Sequence, residues 1–140
     1  MRHTGFLWIA QAASHDHEML VIERRRQRSQ QSSLALAYQL EHTRQKGHLE
    51  ALVLASDEGL PVATSGEPAV CAELAAVAPW LGRSVLAMPM PPLLRGAEVA
   101  CRTVRVHGER LYLISVGGTV ARDAHLSTSV LGLERILTGN

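Results

Sequence analysis

Apolar and polar positions follow two different periods along this chain, and each change of period marks an element. Over residues 32–46 the apolar positions Leu34, Ala37 and Tyr38, followed by Glu41, keep helical spacing. Ser32 or Ser33 stands where a side-chain oxygen can cap the first N–H groups, and Gly47 stands where a C′ residue would end the helix. The apolar run Leu49-Glu50-Ala51-Leu52-Val53-Leu54-Ala55 then reads as a strand, Asp57-Glu58-Gly59 as a turn, and Leu60-Pro61-Val62-Ala63-Thr64-Ser65 as a second strand. Pro61 has no N–H to give a ladder, which puts that second strand at a sheet edge.

Pro68 opens another helix, where its missing N–H does no harm. Val70, Cys71, Leu74, Val77, Ala78 and Leu81 recur at helical spacing, so this helix runs over residues 68–81. Most remaining positions are Ala, and Glu73 is its one charge. A helix this apolar has more than one face to bury. Pro79 perturbs its last turn. Residues 82–97 hold Pro89, Pro91 and Pro92 and read as irregular, although Ser84-Val85-Leu86-Ala87-Met88 has the character of a further strand. Glu98–Val106 and Arg110–Val116, joined through His107-Gly108-Glu109, form a second hairpin, with Arg102 and Arg105 marking an exposed face. Gly117-Gly118 closes it. Asp123 is placed to cap a last helix through Leu126, Val130, Leu133, Glu134, Ile136 and Leu137, which Gly139 ends. The order α-β-β-α-β-β(-β)-α describes an α+β sandwich, an antiparallel sheet with helices packed on it.

Residues 1–31 stand apart as an N-terminal extension before a domain at 32–140. The extension holds two short apolar runs, Phe6–Ala10 and Met19–Ile22, and a basic run, Arg24-Arg25-Arg26-Gln27-Arg28. That run reads first as a solvated face or linker. It is also the chain's best candidate for contact with an acidic partner, through Arg24, Arg25, Arg26 and Arg28. Residues 1–48 carry six Arg and one Lys against four acids, a net +3, whereas residues 49–140 carry seven Arg against nine acids, a net −2. With +1 overall, nothing points to nucleic acid. The apolar stretch Gly5–Ala13 is too short to span a bilayer and holds a Trp and a Gln, so it meets signal-peptide criteria poorly. A cytoplasmic location without membrane insertion is the expectation.

No catalytic constellation emerges, and no enzyme activity, cofactor or metal site is expected. Gly117-Gly118-Thr119 lacks the Gly-to-Gly-Lys spacing of a phosphate loop. His15 and His17 would share a face on a strand, yet no further ligand pair lies at a telling distance. His107 and His125 occur singly. Cys71 and Cys101 sit inside apolar patterns and read as reduced packing residues.

The stretch Leu49-Glu50-Ala51-Leu52-Val53-Leu54-Ala55-Ser56-Asp57-Glu58-Gly59-Leu60-Pro61-Val62-Ala63-Thr64-Ser65-Gly66 resembles the roadblock/LC7 family: an apolar strand, an Asp-x-Gly turn, then a Leu-Pro strand ending near Ser-Gly. Glu73-Leu74-Ala75-Ala76 is similar to the family's Ala-rich central helix. The likeness covers roughly residues 32–137. It departs from the family in showing two plain strands after the central helix where three are usual. The resemblance implies a profilin-like sandwich that dimerises by joining edge strands and pairing central helices. It also implies a platform for a small Ras-like GTPase, which bacterial MglB-like members regulate while other members act as scaffolds. On that basis the expected homodimer and partner interface is Val70, Glu73, Leu74, Val77, Ala78 and Leu81. If GTP hydrolysis is assisted, the resemblance implies repositioning of the GTPase's own groups rather than an inserted Arg. The rival readings are a small-molecule-sensing profilin-like module, and a scaffold subunit of a complex without a GTPase. A sensor needs a pocket with convergent polar groups.

Overall fold

The structure, a computed structural model, describes Arg24, Gln27, residues 30–83 and residues 90–139. The expected strand at Ser84–Met88, the His15/His17 pair, and Arg25, Arg26 and Arg28 lie outside the described residues. Contacts set off Leu34–Asn140 as one compact unit.

Its elements are a helix over residues 30–47 (α1), β1 (Leu49–Ala55), β2 (Pro61–Ser65), α2 (Pro68–Gly82), a 3-10 turn at Pro92–Leu94, β3 (Val99–Val106), β4 (Glu109–Gly117) and α3 (Arg122–Leu137). The four strands form one antiparallel sheet in the order β2-β1-β4-β3. β2 is an edge strand, as Pro61 requires, and the register slips between Leu54 and Ala55 where Pro61 pairs.

Alternation along the strands splits the core in two. One face of β1 and β4 presents Ala51, Val53, Ala55, Tyr112, Ile114 and Val116 to the α2 side chains Val70, Cys71, Leu74, Val77 and Ala78. The other face presents Leu52, Leu54 and Leu113 to Leu36 and Leu40 of α1 and to Leu126 and Leu133 of α3. The architecture is therefore three layers, α2 on one face and α1 with α3 on the other. Burial on both faces explains why β1 reads as a continuous apolar run.

Several expectations are corrected. Ser32 and Ser33 are exposed residues inside helical backbone, so neither caps α1. Gly47 is still helical, and the left-handed residue that ends α1 is His48 (φ 52°), whose N–H donates to the Gln45 carbonyl at 3.3 Å. Asp123 does not cap α3 either. The N-cap position is Ala121 without a side-chain bond, and the Asp123 carboxylate instead accepts from Arg102 at 3.0 Å. The β3–β4 hairpin has no fully solvated face: Ala100 and Val104 are buried on the α1/α3 side, while Cys101 packs on the α2 side. Arg102 pairs with Asp123 while its side chain stays partly exposed, and Arg105 is exposed. The turn between these strands is two residues, His107 (φ 49°) and Gly108 (φ 80°), the type I′ geometry that suits the strand twist.

Candidate functional site

Two surfaces outside the core carry chemistry or binding potential. The first is the outer side of α2. The helix forms because Ala and Leu dominate it, and Pro68 supplies a preset φ at its start. Pro79 lies inside the helix, which continues to Gly82. Its inner side is consumed by the chain's own core: Leu74 and Ala78 are fully buried, Val77 is 1% exposed and Val70 is 5% exposed. Of the six positions expected at the interface, these four face the sheet, while Glu73 and Leu81 are half-buried. The Glu73 carboxylate accepts the Leu93 backbone N–H at 3.0 Å, so the helix's one charge is turned toward the 3-10 turn. What α2 offers to solvent is Ala69, Ala72, Ala76 and Trp80, spaced three and four residues apart along one line. Trp80 is 46% exposed and Leu93, beyond Glu73, is 52% exposed. The sequence pattern could have shown this row, since these are the positions left over when the apolar core spacing is assigned.

The second surface is a cleft of about 520 Å³, framed by the β1–β2 turn, the β3–β4 turn and Arg83 just after α2. It was not visible in the sequence, because its residues come from three separate segments. Tyr112 is fully buried, yet its hydroxyl reaches the cleft wall and donates to Asp57 Oδ1 at 2.9 Å. Asp57 also holds the Arg83 guanidinium at 2.7 Å. The Tyr112 hydroxyl and then Arg83 keep the Asp57 carboxyl below its ordinary value, and Asp57 in turn raises Arg83 from its ordinary value. Gly82 makes room for this arrangement, since a Cβ there would lie 2.2 Å from Tyr112 Cε1. Glu58, Glu109 and Arg110 line the rest of the cleft; all three are exposed and have no ion-pair partner among the described residues.

A third cluster is structural. Ser65, buried at the end of β2, accepts from Arg44 Nε at 2.7 Å and donates to Glu41, which also pairs with Arg44. The Arg44 bond, then the Ser65 bond, lower the Glu41 pKa. The triad fastens α1 to the edge strand.

Both cysteines are free thiols. Burial pushes Cys101 up to about 11 and raises Cys71 as well, so neither is poised as a thiolate nucleophile. His107 occupies the hairpin turn and His125 lies half-buried on α3. Among the described residues no three His, Cys, Asp or Glu side chains gather as a metal site, and no helix is long and apolar enough to cross a membrane. Arg24 is helical and exposed.

No family model and no curated protein matches the sequence. Solved structures do match the fold. The gliding protein MglB from Thermus thermophilus superposes with a TM-score of 0.57 at 17% identity, over 78% of this chain and 93% of that one. Myxococcus xanthus MglB gives 0.53 at 11% identity, over 74% and 87%. A structure described as MglB with a tetrameric arrangement gives 0.55 at 17% identity, over 76% and 90%. The chain therefore has the roadblock/LC7-like fold of the MglB structures, as the hairpin motif around Asp57 led one to expect.

Proposed function

We propose that this chain is a non-enzymatic dimeric regulator or scaffold that binds a small Ras-like GTPase, assisting hydrolysis or exchange. The observation that carries the reading is the uncharged outer row of α2, Ala69, Ala72, Ala76 and Trp80, on a fold shared with MglB over 87% or more of those chains. Small side chains let two helices approach closely, and an exposed Trp gives such a contact an anchor. A monomer would leave that row in water. The pairing surface is thus the outer row of α2 with Leu81 at its margin, while Val70, Leu74, Val77 and Ala78 support it from beneath. The basic run at residues 24–28 is the second element proposed to touch a partner, one of acidic character.

The test is solution mass by light scattering, with and without a Ras-like GTPase from the same organism in its GDP and GTP forms. A dimer that binds one nucleotide form supports the proposal. Ala72→Glu and Ala76→Glu should then give a folded monomer, because each places a charge in the helix pair without entering the core. A monomeric wild-type chain indifferent to both nucleotide forms would overturn it. Charge reversal at Arg24 and Arg28 that leaves GTPase affinity and its salt dependence unchanged would remove the basic run from the proposal.

A further inference from the structure

A further surface lies where α1 overhangs the edge of the sheet. Leu36 and Leu40 of α1 pack with Leu52 and Leu54 of β1, and the next row, Glu41 and Arg44, bonds to Ser65 of β2. Farther out, Leu34, Ala37 and Tyr38 form a stripe that meets this row at Glu41, with the i, i+3, i+4, i+7 spacing of one helix face. The stripe and Thr64 of β2 line a groove of about 270 Å³. Leu34 is 60% exposed and Tyr38 is 75% exposed. Among the described residues β2 is the last strand on this side, so its outer backbone groups have no ladder partner.

Pro61 and the register slip beside it guard the start of β2, but Val62–Ser65 carry no charge, the usual protection of an open edge. Neighbouring strands lie about 4.8 Å apart, so a strand added beside β2 would run beneath the overhanging stripe and set every second side chain against it. A helix or a small molecule would use the stripe and leave the ladder unused; an extended backbone uses both. Charge sets the ends. Glu58 precedes β2 and Glu67 follows it; both are exposed without an ion-pair partner among the described residues, and no basic residue lines the groove. A second copy docked antiparallel at this edge would bring Glu58 of one chain toward Glu67 of the other, like charge against like. We propose that β2 and the α1 stripe take up an extended segment of a partner protein as an added strand, apolar at alternate positions and basic at both ends. This surface is separate from the outer row of α2, which lies across the sheet.

The experiment is fluorescence anisotropy of the full-length chain with a labelled synthetic peptide, Lys-Thr-Val-Thr-Val-Thr-Lys. It should bind with a Kd below about 1 mM, and the same peptide with Glu at both ends at least about tenfold more weakly. That difference should shrink at high salt. An open edge offers one side of the ladder, so N-methyl groups on alternate peptide residues should abolish binding in one frame and be tolerated in the other. Leu34→Ser combined with Tyr38→Ser should weaken the peptide about tenfold, with circular dichroism unchanged because both side chains are exposed. Absence of binding at about 1 mM would overturn the proposal. So would equal behaviour of the two N-methyl frames, affinity that survives the double substitution, or equal affinity for the Glu-ended peptide. A drop in solution mass on Tyr38→Glu would give the groove to a second copy and overturn it as well; Ala72→Glu reads the outer row of α2 separately.

Discussion

Gly82 gives the sharpest test of the packing. On helix propensity alone, Gly→Ala near the end of α2 would stabilise by up to about 1 kcal/mol. The structure predicts the opposite sign. The added Cβ would lie 2.2 Å from Tyr112 Cε1 and 2.4 Å from Cδ1, where carbon atoms normally approach no closer than ordinary van der Waals contact. The Tyr112 ring is fully buried and tied by its hydroxyl to Asp57, so it has little room to swing aside. Overpacking of this kind costs about 1–3 kcal/mol, which set against the propensity gain leaves a net loss of up to about 2 kcal/mol. For a domain of this size the loss corresponds to a fall of several degrees in Tm, or a lower denaturant midpoint at unchanged slope. The clean assay is a double-mutant cycle by urea unfolding. In a Tyr112→Val background the ring is gone, and Gly82→Ala should become neutral or stabilising. A wild-type background in which Gly82→Ala raises the midpoint would refute the contact, and with it the role assigned to glycine at the cleft.

Other expectations follow from particular residues. Ser115 and Ser129 are fully buried and their hydroxyls find no partner among the described residues, so Ser129→Ala should be neutral or stabilising by up to about 1 kcal/mol in thermal unfolding; a clear loss would mean the hydroxyl is satisfied in solution. Asp57 has a folded pKa below its ordinary 3.8, so its contribution is present above that value and fades as pH falls through the lower folded one. Asp57→Asn should therefore be less stable than wild type at neutral pH, with the gap closing in strong acid; a gap that persists there would point to packing rather than charge. His107 holds a left-handed conformation at the hairpin tip, where Asn is preferred and a β-branched residue is strained. His107→Asn should raise Tm slightly and His107→Val should lower it by about 1 kcal/mol equivalent. Leu74→Asp should unfold the chain rather than split a dimer, because Leu74 is fully buried within it, and a folded circular dichroism spectrum would contradict that placement.

The described elements and their order are legible in the residue pattern. Strand β1 is legible because six of its seven side chains are buried by helices on both faces, and such burial leaves a continuous apolar run. Pro61 placed β2 at an edge, since a residue without an N–H cannot stand inside a ladder. Helix ends were less legible. A cap is a competition among neighbours that only packing settles: a Cβ on Gly47 would crowd Leu49 Cγ at 3.2 Å, and His48 takes the left-handed turn instead. Asp123 was free to cap α3 until β3 brought Arg102 within 3.0 Å. The division of α2 into a core side and an outer side was legible only in part: Ala69, Ala72, Ala76 and Trp80 are what the core spacing leaves over, but Ala and Val fit either environment and the sheet decides which side it covers. The cleft lay furthest from reach. Asp57, Arg83 and Tyr112 belong to three segments, Tyr112 standing 55 positions after Asp57, and no local pattern encodes a hydrogen bond that exists only once the sheet has closed.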